Sequence, residues 1–460
     1  MMQKFAIVII GAGFGGLQAA QSLAKCGKDT LLIDRHNYHT FIPLLYQVAT
    51  AQLEPEHIIY PLRSIIRHSR HRHFLLAEVE QIDFSSQIVK TNRAEIQYDF
   101  LVMATGSKAQ YSDIQGAEKY AFSLRSLEQA VTLRNHILEC FEAASIEPDP
   151  LRRQQLLTFV IIGGGATGTE VAGALVELLR SQIRLEYPTL NLRQVKVILL
   201  QSGDRLLSDL PLKLANYTLK YLRKLGIDVR LEARISQITA TEVYLQDQQV
   251  IPTNTAIWTA GVEAAIPDLC DDWARGKKSK LRVLPTLQSL NYANVYAIGD
   301  AAYVEQDRTL SGVAPEALQQ GVAVARNIRL QLRHLPPRPF RYLHKGRLAI
   351  IGCHSGVGQI LEWTFTGFLA WILWLGVHLI YLPGFRNRLF VLLTWLQTYL
   401  LGDRLVRTIL PLDRPSSRSE SVLEKVSVSV SIDAIADSSI NIESEDKKGG
   451  SINNSTLNSS

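Results

Sequence analysis

In this 460-residue chain, the residues whose types and spacing best suit chemistry are two sets of glycines. Gly11, Gly13 and Gly16 lie in AIVIIGAGFGGLQAA (residues 6–20); Gly163, Gly165 and Gly168 lie in FVIIGGGATGTEVAG (residues 159–173), a near repeat. In each copy an apolar run that reads as a buried strand meets GxGxxG, and small residues at helical spacing follow. The first glycine makes a tight turn, the second lets the backbone approach a pyrophosphate, and the third lets the helix pack on the strand. The N–H groups and dipole at the helix start then hold the diphosphate. Two such turns imply two dinucleotides, one resident and one exchanging. A flavin fed by a nicotinamide is the economical pair.

A carboxylate about 20 residues beyond such a turn reads the ribose hydroxyls. The first copy has it, TLLID ending at Asp34. In the second copy the strand VKVILL (195–200) is followed by Gln201. An uncharged amide removes the repulsion of a 2′-phosphate, and Arg205 nearby offers a cation, so discrimination against NADPH should weaken. FLVMATGS (100–107) reads as a strand entering a turn at Thr105 and Gly106. NVYAIGD (294–300) places Asp300 at a strand end, suited to cofactor hydroxyls, with a helix cap as the bland alternative. RHNYHTFIPLLYQVAT (35–50) either turns back towards the cofactor or packs as a loop on the core.

The elements that must position these residues are those of an α/β fold with two Rossmann-like dinucleotide-binding domains and a C-terminal helical membrane anchor. A chain of this length exceeds one hydrophobic core. The first domain is expected over residues 1–115 and 275–345, discontinuous because Asp300 returns to it. The second is expected over 150–274, after a helix from Leu127 to Ala144. Residues 346–412 form the membrane-associated part. Within it, WTFTGFLAWILWLGVHLIYL (363–382) and LFVLLTWLQTYLLG (389–402) flank PGFRNR. The first run is at the short edge of the spanning range and the second is too short, so an anchor lying in one leaflet is favoured. Pairing of two copies, or a core hairpin, is the alternative. Residues 413–460, rich in serine, asparagine and acids, cannot bury enough apolar surface to order.

The net charge of +6 leans towards anionic partners. The nucleotide phosphates and a membrane surface answer that lean, and no nucleic acid is expected. The basic run RSIIRHSRHRHF (63–74) reads as a solvated face, with a lipid headgroup contact as the other reading. Cys26, Cys140, Cys270 and Cys353 have no CxxC or metal-ligand spacing, as for buried thiols in a reducing compartment. No metal site is expected. The N-terminal apolar run is a strand rather than a signal peptide, which points to the cytoplasmic side.

HTFIPLLYQVAT (39–50), IIGGGATGTEVAG (161–173), IWTAGV (257–262), NVYAIGDAA (294–302) and WILWLGVHLIYLPGFRNR (371–388) together resemble the type II NADH dehydrogenases, over about residues 5–412. These are single-subunit, FAD-dependent NADH:quinone oxidoreductases. The resemblance implies non-covalent FAD on Gly11, Gly13, Gly16, Asp34, Thr105, Gly106 and Asp300. It implies NADH, and NADPH as well given Gln201, on Gly163, Gly165 and Gly168. Glu170 would position the nicotinamide against the flavin, and Lys345 would stabilise reduced flavin. A membrane quinone would approach past Pro43 and Gln47 and past Gln319 and Gln320, without ion pumping. Two alternatives remain. One is a sulfide:quinone oxidoreductase working through cysteines such as Cys140 and Cys353. The other is a membrane-bound NAD(P)H redox sensor with little turnover.

Overall fold

The computed structural model describes residues 3–67, 70–112, 114–180, 186–188, 190–267, 273–305, 312–401 and 406–410. The chain opens with β1 (Gln3–Ile10), whose residues Ile7, Val8 and Ile9 are wholly buried. It turns at Gly11 into α1 (Phe14–Leu23) and returns as β2 (Thr30–Asp34). β2 lies parallel to one side of β1, with Ile10 beside Ile33. β3 (Glu95–Met103) lies parallel to the other side, with Ile10 beside Met103. Strands covered on both faces read as unbroken apolar runs, which is why IVII and LVM carry no alternation.

β4 (Ala121–Ser123) begins the second sheet and precedes α2 (Leu127–Ile146). The α2 start is fixed by a capping box in which Ser126 and Gln129 satisfy each other's backbone N–H groups. Then come β5 (Thr158–Ile162), α3 (Ala166–Leu178), β6 (Lys196–Leu200) and β7 (Thr255–Trp258). The sheet order is β4–β7–β5–β6 followed by Asp228–Arg230, all parallel. The second sheet therefore takes in residues well ahead of position 150. β8 (Val295–Ala297) rejoins the first sheet beside Leu101–Met103 of β3. α4 (Ala314–Gln331) packs on α1 at Gly321, where a Cβ would lie 2.5 Å from the Gly15 carbonyl. The two units are stitched where Ser107–Ala109 pairs antiparallel with Val262–Ala264.

The C-terminal part differs from the wholly helical region expected. It opens as a three-stranded antiparallel sheet, Arg347–Gly352, Ser355–Ile360 and Trp363–Thr366. The apolar run from Trp363 is thus divided. Its first four residues pair with Val357–Ile360, and the helix α5 (Gly367–Tyr381) starts only at Gly367, whose φ is +68°. At 15 residues α5 is about 22 Å long, short of the roughly 30 Å of a bilayer core. After the turn at Gly384 comes α6 (Phe385–Leu396). Among the described residues no helix is long and apolar enough to cross a membrane. The basic run forms a short helix, Leu62–Ile66, and then an edge strand, Arg72–Leu76. The expected serine-rich tail, 413–460, lies outside the described residues.

Candidate active site

Both glycine turns are built alike. Gly11 (φ +98°) and Gly163 (φ +112°) take backbone conformations that side chains resist. A Cβ on Gly16 would lie 1.9 Å from the Gly11 carbonyl oxygen, and one on Gly168 would lie 1.8 Å from that of Gly163. Each helix can therefore sit on its strand only with glycine there. A Cβ on Gly13 or Gly165 would meet nothing within 4 Å, so that face of each turn is open to a ligand.

The residue ending the next strand answers each turn in the same way. The Ala12 N–H donates to Asp34 Oδ2 at 2.7 Å, and His36 N–H donates to Asp34 Oδ1 at 2.8 Å. In the second unit the Gly164 N–H donates to Gln201 Oε1 at 2.9 Å. Gln201 thus stands to the second glycine turn as Asp34 stands to the first and accepts through its carbonyl, which leaves its NH2 end as a donor. Arg205, the expected cation, donates to the Ser208 carbonyl at 3.0 Å.

A cavity of about 610 Å³ is lined by Asp34, Gly11, Gly13, Thr105 and Gly106 of the first unit and by Pro43, Tyr46 and Glu170. Asp300 lines it from the turn after β8. Thr167 and Glu170, on α3 of the second unit, open onto the same space. Within its wall Thr105 Oγ1 and Arg125 Nε are buried without a hydrogen-bond partner. Orphaned donors beside an open glycine turn suit a long polar ligand, and FAD fits this donor set.

Residues 35–50 do turn back to the cavity and also pack in the core. The His39 Nδ1–H donates to the Ala12 carbonyl at 2.9 Å, so the segment is tied to the glycine turn itself. Burial lowers the His39 pKa. Tyr46 and Val48 enter the hydrophobic core.

Glu170 is the most perturbed carboxyl on the wall. Burial pushes it up to about 8, partly offset by the Ile350 amide and the Trp374 indole close by. The indole Nε1 stands buried beside it without closing a hydrogen bond. Trp374 stacks on His378 at 3.7 Å, and burial brings that imidazole down to about 4.

The expected quinone contacts divide. Pro43 lines the cavity. The three glutamines are committed to the protein. Gln47, fully buried, donates to Tyr46 OH at 2.9 Å and accepts from Trp395 Nε1 at 2.9 Å. Gln319 holds both the N–H and the C=O of Leu343. Gln320 accepts from the Gly299 N–H at 2.6 Å and so fixes the turn that carries Asp300. Lys345 stands outside the cavity wall, its Nζ 3.2 Å from Tyr381 OH. The residues that sequence reasoning missed are Arg125, Ser107, His39 and Thr167. Of these Ser107, His39 and Thr167 lie within FLVMATGS, HTFIPLLYQVAT and IIGGGATGTEVAG, whereas SLRSLEQA around Arg125 reads as a plain helix start.

The cysteines do not gather at the cavity. Cys140 lies inside α2 near His136 and Thr255, its thiol pushed up to about 12 by burial. Cys353 contacts His354 at 3.0 Å, and neither cysteine lines the cavity. Cys270 lies outside the described residues.

Residues 5–321 match the family model of pyridine nucleotide-disulphide oxidoreductases, and residues 344–404 match the NDH2 C-terminal domain. The type II NADH:quinone oxidoreductase Ndh of Mycobacterium tuberculosis is 35% identical over 419 residues, 87% of this chain and 89% of that protein. The structure of NDH2 from Plasmodium falciparum in complex with NADH shares the fold, with a TM-score of 0.79 at 17% identity over 89% of this chain and 100% of that one. The sulfide:quinone oxidoreductase of Aquifex aeolicus shares it less closely, with a TM-score of 0.66 at 18% identity over 88% and 96%. With the glycine turns, the shared cavity and the matched C-terminal part in agreement, the chain belongs to the type II NADH:quinone oxidoreductases.

Proposed function

We propose that this chain oxidises NADH and passes two electrons, by way of non-covalently held FAD, to a membrane quinone without moving ions. The observation that carries this reading is that one cavity is walled by the first glycine turn and by Thr167 and Glu170 of the second unit's helix. FAD, when bound, supplies the acceptor for the hydride and the donor for the quinone.

The chain's own part is to bind, orient and keep water out. Gly11, Gly13 and Gly16 hold the flavin diphosphate, Asp34 the ribose, and Thr105, Gly106 and Asp300 the middle of the molecule. Gly163, Gly165 and Gly168 hold the nicotinamide coenzyme. Glu170, neutral below about pH 8, keeps a proton at the wall where the reacting rings would meet. Pro43 borders the quinone's approach. Gln47, Gln319 and Gln320 act behind the surface, by fixing Tyr46, Leu343 and Gly299. Gln201 supports use of NADPH beside NADH.

The α5–α6 hairpin supports a membrane seat. Ile380 is 69% exposed and Phe385 80% exposed, with Phe368, Leu393 and Leu400 also facing out. Such an apolar face suits the boundary of one leaflet. Cysteines scattered as thiols suit the cytoplasmic side.

The test is anaerobic. NADH added to the purified yellow protein should bleach the flavin, and a quinone added next should restore the colour. Bleaching without return of colour would leave a sensor instead, and bleaching by sulfide rather than NADH would favour the cysteine-based alternative.

A further inference from the structure

The turn at Gly384, which joins α5 to α6, is pressed against the first unit. A Cβ on Gly384 would lie 2.2 Å from the Tyr60 ring, and the Asn387 side chain donates to the Ile59 carbonyl at 2.6 Å. Tyr60 sits in the short strand Ile59–Pro61, and the basic run begins directly after it, with Arg63 on the helix Leu62–Ile66. Three cations thereby flank one turn. Arg63 comes three residues after Tyr60, Arg386 comes two residues after Gly384, and Lys345 reaches Tyr381, three residues before Gly384. Arg67 and Arg70 carry the exposed basic face further along the same run.

What each of the three meets within the chain is an aromatic ring. Arg63 Cζ lies 5.2 Å from the centre of Phe74, Arg386 Cζ 5.5 Å from that of Phe390, and Lys345 Nζ 5.9 Å from that of Tyr381. Among the described residues no carboxylate pairs with any of them. The acids nearest Tyr60 in sequence, Glu54 and Glu56, act on the buried Arg134, from which Glu54 lies 3.9 Å away. A cation stacked on a ring keeps N–H donors for an anion outside the chain. Beside these cations the hairpin shows Tyr381, Phe385, Leu389 and Phe390 to solvent. A soluble anion has no use for that apolar face. Acyl chains capped by phosphate headgroups match both parts of it.

We propose that this end of the hairpin is a docking site for net-anionic phospholipid headgroups, with Arg63, Lys345 and Arg386 on the phosphates and Arg67 and Arg70 extending the contact. This rests on the reading that α5 and α6 seat in one leaflet, and it adds an electrostatic signal to the apolar one. Each cation at an anionic leaflet strengthens binding about fivefold, and the gain falls as salt screens it. Because Arg63 belongs to the first unit and Arg386 to the hairpin, the contact also fixes one against the other at the leaflet.

The experiment is co-sedimentation of the flavin-loaded protein with two kinds of vesicle, phosphatidylcholine alone and an equal mixture of phosphatidylcholine and phosphatidylglycerol. The wild type is compared with the triple variant Arg63→Gln, Lys345→Gln, Arg386→Gln. At low salt the wild type should bind the mixed vesicles at least about tenfold more tightly than the neutral ones, and added salt should erase the difference. The triple variant should bind the neutral vesicles as the wild type does, and the mixed ones at least about tenfold more weakly. A wild type that binds both vesicles alike overturns the proposal. So does a triple variant with undiminished preference, or tighter binding to duplex DNA than to the mixed vesicles. Should the triple variant not retain flavin, Arg63→Glu takes its place, and wild-type preference in that variant overturns the proposal alone. A wild type that binds neither vesicle would instead sink the reading of the hairpin on which the proposal rests.

Discussion

Replacing Glu170 by glutamine tests the site where burial matters most. The carboxyl moves from 4.5 to about 8 on folding, and at 1.36 kcal/mol per pKa unit this is about 5 kcal/mol of pH-dependent free energy. The sign follows from proton counting. Between those values the folded chain keeps the proton while the unfolded chain has lost it. The contribution is thus fully present below about pH 4.5, is lost progressively as pH rises, and is exhausted above about pH 8. Glu170→Gln keeps the shape and removes the titration. Its melting temperature should gain on that of the wild type from about pH 5 to about pH 8, and then run parallel. In stopped-flow reduction by NADH, the wild type should show an inflection near pH 8 that the variant lacks. If the variant keeps that inflection, or if its melting curve tracks the wild type at every pH, the carboxyl at the wall is ionised and the reasoning fails.

Other outcomes follow from the same geometry. Gln201→Glu restores a carboxylate opposite the Gly164 N–H and should lower kcat/KM for NADPH by about tenfold or more while sparing NADH, measured with both coenzymes. Phe385→Glu and Ile380→Asp place charges on the exposed hairpin and should reduce co-sedimentation with lipid vesicles, with flavin content unchanged. Cys140→Ser and Cys353→Ser should leave NADH:quinone turnover within twofold of wild type, since neither thiol reaches the cavity; a loss of turnover with intact flavin would revive the cysteine-based reading.

Much of the fold was legible because its signals are local. Strand, glycine turn and small-residue helix follow one another within 15 residues, and the clash distances at Gly16 and Gly168 show why no other residue serves. Asp34 and Gln201 were legible for the same reason. The C-terminal sheet was not, because the aromatic run at Trp363 reads continuously into α5 and only the strand pairing with Val357–Ile360 divides it. The glutamines expected to meet the quinone looked like ligands by type. Their partners Trp395, Leu343 and Gly299 come from distant or separately folded segments that no spacing announces. Arg125 was hidden similarly, since its meaning comes from Asp300, which the fold alone brings to it.

The two-sided pairing of β3 orders events during synthesis. Its far half lacks the neighbour β8 until the ribosome has made all of the intervening unit, whose five parallel strands are complete by Trp258. The later-starting sheet can therefore close first, while the earlier one waits with Leu101–Met103 uncovered on one side, a long-range contact of the kind that folds slowly. Because Asp300 follows β8 directly, the cavity it lines is among the last parts of the two-sheet body to be finished.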